Sequence, residues 1–193
     1  MTGGDKARGA RLALAALDRL GAADPATRAW PLARHAEETA LLADHRAAPN
    51  SIHQVEEVYA TADITARPWT CFLDATRFAT MKLTVHSRLR REDDTITAMD
   101  EIVSHLSPQT ELKKLCVAQA ELALAHLRLG DVTEAVKSAK TALSATATMA
   151  HPLGWERLDH VIAELEPLRA QAARELRAEY AAVRPTSAPS SRP

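Results

Sequence analysis

The stretch from Cys116 to Ala147, CVAQAELALAHLRLGDVTEAVKSAKTALSATA, decides the fold. Apolar residues recur with a helical period on both sides of Gly130-Asp131, so one helix precedes the turn and a second follows it. Two antiparallel helices pack closely only where small side chains meet. Ala123 on the first is therefore expected opposite Ala135 on the second, with Ala142 against the next unit. Gly130 ends the first helix because glycine enters the left-handed conformation without the steric cost of a side chain. Asp131 then caps the second helix. A leucine at position 135 would overpack the crossing, at a cost of about 1–3 kcal/mol.

The rest of the composition agrees with a helical reading. The chain has 193 residues, 4% aromatics and six glycines, with alanine and leucine abundant, which favours helix over sheet and sets the class as all-α. A formal charge of −1, from 24 basic and 25 acidic residues, leaves no electrostatic footprint for nucleic acid or an anionic membrane. Cys71 and Cys116 lie far apart without metal-ligand spacing and read as small hydrophobes. No signal-peptide core and no apolar run approaching about 18 residues is found, so the expected location is the cytoplasm.

Along the chain, residues 1–5 read as a frayed start, and Lys6 to Leu20 as a helix ended by Gly21. It resembles the second helix of a hairpin and needs a neighbour, supplied by a homodimer contact or by a longer parent chain. Asp24-Pro25 starts a helix through about Asp44, with Pro31 expected to kink or delay it. The next helix is expected from about Asn50 or a little earlier to Thr61. Arg67-Pro68 opens a long helix from about Trp69 to Arg90, and Asp94 or Thr95 caps another that Ser107-Pro108 stops. The opening unit begins near Gln109 or Thr110. Beyond the break at His151-Pro152, Leu153 to Leu165 and a capping helix from about Pro167 to Val183 follow, the latter with Leu168, Ala172, Leu176 and Tyr180 as its apolar stripe. Residues 1–183 thus read as a single domain and 184–193, rich in proline and serine, as a disordered tail.

Four stretches together resemble the C-terminal tetratricopeptide-repeat halves of actinobacterial XRE-type transcriptional regulators. They are PWTCFLDATRFA (Pro68–Ala79), TAMDEIVSHLSP (Thr97–Pro108), ELALAHLRLGDVTEAVKSAKTAL (Glu121–Leu143) and GWERLDHVIAELEPLRA (Gly154–Ala170). Ala123, Gly130, Ala135 and Ala142 hold positions by which such repeats are recognised. The resemblance implies antiparallel hairpins in a right-handed superhelix with a C-terminal capping helix. Regulators of this kind also carry an N-terminal helix-turn-helix domain, and residues 1–60 have neither its pattern nor a basic recognition helix, so direct nucleic-acid binding is not carried over.

In such repeats the first helix of each pair lines the concave face. Thr80, Leu83, Ser87, Arg90 and Arg91, then Val117, Ala120, Leu124, Leu127 and Arg128, are the expected groove positions. Of these, Arg90, Arg91 and Arg128, with Ser87 and Leu124, form the candidate ligand or peptide site, since guanidinium groups grip carboxylates in a two-pronged way. The competing reading is of solvated arginines that complement helix dipoles. Trp69 and Phe72 read either as core or as an aromatic ligand wall, His126 as core, and Asp74 with Arg77 as a helix-surface pair. The eight histidines show no metal-ligand spacing, and no nucleophile triad or phosphate loop occurs, so no metal, cofactor or enzymatic activity is expected. The expectation is a non-enzymatic domain that binds a protein, peptide or small signal, in transcriptional control. The alternative is a structural adaptor with no small ligand and no DNA role.

Overall fold

The computed structural model of the chain describes residues 6–65, 70, 73–107, 109–149 and 152–184. The described residues form nine α-helices and no strand, and the chain divides into two compact units, Met1–Pro108 and Gln109–Pro193. Where the sequence reading takes residues 1–183 as one domain, the packing gathers them into these two bodies.

The first unit holds α1 (Lys6–Leu20), α2 (Pro25–Leu41), α3 (Ala47–Ala60), α4 (Ala75–Arg88) and α5 (Glu92–His105). Gly21, at φ +48°, ends α1. Asp24 caps α2 twice, accepting the Thr27 N–H at 3.1 Å and the Thr27 hydroxyl at 2.9 Å, while Pro25 occupies the first turn, where its missing N–H is harmless. Pro31 neither ends nor delays α2, which runs through it. Asp44 accepts the N–H groups of Arg46 and Ala47 at 3.0 and 2.8 Å, and these bonds start α3 upstream of Asn50. Alanines 29, 33, 36 and 40 are all buried on α2, so backbones can approach closely, and α2 packs against α1, α3 and α4.

Helix α4 begins later than the sequence suggests. Its start is set by Asp74, whose carboxylate accepts the Arg77 N–H at 2.9 Å. The Asp74/Arg77 spacing therefore marks a helix cap. The expected opening at Arg67-Pro68-Trp69 lies outside the described residues, as do Cys71, Phe72, the first five residues, Pro108, His151 and the tail beyond Arg184. Helix α5 starts at Glu92, ahead of the expected Asp94 or Thr95, because Glu92, Asp93 and Asp94 in its first turn complement the positive end of the helix dipole.

The second unit holds α6 (Leu112–Arg128), α7 (Val132–Met149), α8 (Pro152–Leu165) and α9 (Gln171–Val183). Gly130 adopts φ +85° between α6 and α7, and Asp131 accepts the Glu134 N–H at 3.0 Å. Ala123, Ala135 and Ala142 are fully buried. Helix α6 packs against α7 and α8, and α7 against both α8 and α9. Leu158, Val161, Leu165 and Leu176 fill the core between them, each burial contributing on the order of 1.5–3 kcal/mol. The last helix starts at Gln171, not Pro167, and its inner stripe is Ala173, Leu176 and Tyr180. Ala172 faces solvent instead, and Leu168 joins the core from the segment before the helix.

Candidate functional site

The expected groove face is mostly core. Thr80, Leu83, Ser87, Val117, Ala120 and Leu124 are all buried. Ser87, 2% exposed, donates its hydroxyl to the Thr84 carbonyl at 3.4 Å, and Leu124, also 2% exposed, packs inside the second unit. Neither presents a surface to a ligand. The three arginines are shared between the two units. Arg90 is exposed in the α4–α5 turn at φ +56°, and Arg91 directly precedes α5. Arg128 belongs to the other unit, where it holds Glu164 of α8 at 2.8 Å.

On α4 the face that borders a cavity lies one residue away from the expected one, a rotation of about 100°. Lys82 and His86, one turn apart, look into a polar cavity of 350 Å³ bounded by α3, α4 and α5. Glu56 reaches it from α3, and Arg91, Asp94 and Glu101 reach it from the α5 side. Lys82 sits at the centre, its side chain 13% exposed, and binds Glu101 at 2.7 Å and Glu56 at 3.1 Å. Burial disfavours its charge, but the two carboxylate bonds outweigh that penalty and hold its pKa above the ordinary lysine value. One ammonium thus ties three helices together.

His86 is 8% exposed, and its Nδ1 has no hydrogen-bond partner. The nearest carboxylate, Asp94, stands 4.0 Å from that nitrogen, beyond hydrogen-bond reach. Asp94 instead takes the Nε of Arg91 at 2.6 Å. Burial pushes the imidazole below its ordinary pKa, with Asp94 opposing and Arg91 and Lys82 reinforcing the shift. A neutral imidazole with an unused nitrogen therefore borders the cavity. Buried polar atoms are seldom left unpaired, which makes this nitrogen the most telling atom of the site.

Sequence reasoning identified only Arg91 among these residues. The legible signal was Lys82 and His86, an i,i+4 ionisable pair on α4, set against Glu56 and Glu101 on its neighbours. Trp69 and Phe72, read either as core or as an aromatic wall, lie outside the described residues, and among those described no group of three or more His, Cys, Asp and Glu side chains is placed to hold a metal ion.

A second concavity, of 540 Å³, lies between α1 and α2 and is lined mainly by apolar residues such as Ala16, Leu20, Trp30 and Leu73. Leu12, at its rim, is 60% exposed, and Leu14 on the same helix is 50% exposed. No described helix is long and apolar enough to cross a membrane. Comparison with protein-family models, curated proteins and solved structures finds no match for this chain.

Proposed function

We propose that this chain is a non-enzymatic, tetratricopeptide-like helical-repeat domain that senses a small polar ligand through the α3–α4–α5 cavity, in the service of transcriptional control. The observation that carries the sensing role is the unpartnered His86 nitrogen bordering a cavity of 350 Å³, within the size range of small-molecule sites. The repeat assignment is supported by the packing of α6 with α7 and α8, and of α7 with α9, around the small residues that flank Gly130. The regulatory context rests on the sequence resemblance alone.

A thermal-shift screen of the full chain against metabolite and peptide pools tests the reading. A ligand present at about one hundred times its Kd stabilises the folded state by about 2.7 kcal/mol, enough to raise the Tm measurably. Absence of any shift across the pools counts against sensing. The adaptor alternative is favoured by the apolar α1–α2 concavity and the exposure of Leu12 and Leu14. Under that reading a pull-down recovers a stable protein partner, and replacing Leu12 and Leu14 by serine releases it.

A further inference from the structure

We infer that the concavity between α1 and α2 is a binding site for an amphiphilic carboxylic acid, its apolar chain along Leu12, Ala16 and Leu20 and its carboxylate on the Arg19 guanidinium. This is a second site, independent of the sensing role of the α3–α4–α5 cavity.

Helix α1 carries two apolar faces, of which the fold uses one. Ala10 and Ala13 are buried, and Leu17 packs against the core of the first unit. Leu12, Ala16, Arg19 and Leu20, spaced by three and four residues, form a neighbouring stripe that lines the concavity instead. Leu12 and Ala16 are exposed there, while buried Ala26 and Leu73 contribute to the opposite lining. A volume of 540 Å³ falls within the range of small-molecule sites, and a wall this apolar takes an apolar body.

Charge selects the head group. Arg19 is the one ionisable side chain among the described lining residues, and no described carboxylate pairs with it. A wholly apolar ligand would take water from that guanidinium and give nothing back. A cationic ligand meets Arg19 and finds no carboxylate among the described lining residues. The lining hydroxyls of Thr27 and Thr70 already donate to Asp24 and to the Ile64 carbonyl, both at 2.9 Å, so Arg19 supplies the donors for an anion. One carboxylate takes two parallel hydrogen bonds from one guanidinium, so a single acid group at the end of an apolar chain satisfies the site. A second copy of the chain does not suit it. A two-fold contact through this face sets α1 against α1, each bringing Arg8, Arg11 and Arg19 with Asp18 as its one acid.

Calorimetry of the full chain with octanoate, decanoate and dodecanoate, each below its micelle concentration, tests the site, with decanol and decylammonium as uncharged and cationic counterparts. Affinity is expected to rise by about fourfold for each methylene added to the acid. Decanoate is expected to bind about tenfold or more tightly than decanol or decylammonium, the worth of one charge-assisted contact. Arg19→Gln, at an exposed position, is expected to erase the preference for the acid over the alcohol while leaving the affinity for the alcohol unchanged. Ala16→Trp, also at an exposed position, fills the concavity and is expected to weaken the acid and the alcohol together by about tenfold or more. If it lowers the Tm of the free protein, Leu12→Ser serves instead, since it removes part of the apolar wall from an exposed site. Decanol or decylammonium that binds as tightly as decanoate overturns the inference, and so does acid binding that survives these changes to the wall. Silence from all three acids does the same. A protein partner recovered by pull-down and lost on Ala16→Trp, with no acid bound, also overturns it and assigns the concavity to the adaptor reading.

Discussion

At the level of single residues, the glycines separate three physical situations. Gly130 needs its left-handed φ of +85° but has open space where a Cβ would stand. Gly154, on α8, has the opposite constraint: a Cβ there would come within 2.5 Å of the Thr146 hydroxyl oxygen and 2.8 Å of its methyl carbon. Thr146 is fully buried and β-branched, so it has no room to turn aside. Gly9 would also clash, at 2.5 Å, but with the end of the Glu38 side chain. Gly154→Ala is therefore expected to destabilise by about 1–3 kcal/mol in chemical denaturation, through overpacking. Thr146→Ala in the same chain should restore much of that loss, and simple additivity of the two changes would sink the explanation. The role of Gly130 was legible because a turn glycine between two apolar stripes has one common cause. That of Gly154 was not, since close approach of two helices leaves no local pattern.

Helix pairing turns on a residue that the repeat pattern conceals. Glu121 sits inside ELALAHLRLG among small apolar residues and is only 2% exposed, yet it carries a carboxylate into the second unit. Arg157 of α8 meets it at 2.8 Å, joining α6 to α8, while Glu121 Oε2 and Arg157 Nε lack hydrogen-bond partners. Such a pair stabilises little relative to apolar residues of the same volume, whereas removing one member strands a buried charge. Arg157→Met is expected to cost about 3–5 kcal/mol, and the double replacement Glu121→Met with Arg157→Met to recover most of it. Urea denaturation of the two variants decides the matter, and equal losses in the single and double variants would exclude the stranded charge as the cause. Helix existence was readable from periodicity and caps: Asp24, Asp131 and Gly21 all act where the sequence put them. Rotation of each helix was not. On α4 an error of one residue exchanged Leu83 and Ser87 for Lys82 and His86, because three helices pack around it and a broad buried face blurs the moment.

At the scale of the whole molecule, three of the described histidines lose pKa to burial: His35 and His86 in the first unit and His126 in the second. Carboxylates oppose the shift in each case, Asp44 at His35, Asp94 at His86, and Asp131 with Glu134 at His126, but desolvation prevails. His35 holds Ser51 at 2.7 Å between α2 and α3, so a proton there also disturbs a helix contact if its Nδ1 is the acceptor. In the unfolded chain these imidazoles protonate near pH 6.5. The folded chain binds the same protons only at lower pH, so between the two values the unfolded state carries more of them, and stability falls as pH falls. The full contribution is present above the unfolded pKa, declines as pH drops toward the folded values, and then levels off. Thermal melts from pH 8 to pH 5 should show the Tm falling across the acidic half of that range. His86→Gln, which cannot take up a proton, should reduce the slope without abolishing it, since His35 and His126 still titrate. A Tm that rises on acidification would mean that the carboxylates, Asp94 foremost, outweigh burial, and that the imidazole bordering the polar cavity is charged in the folded protein.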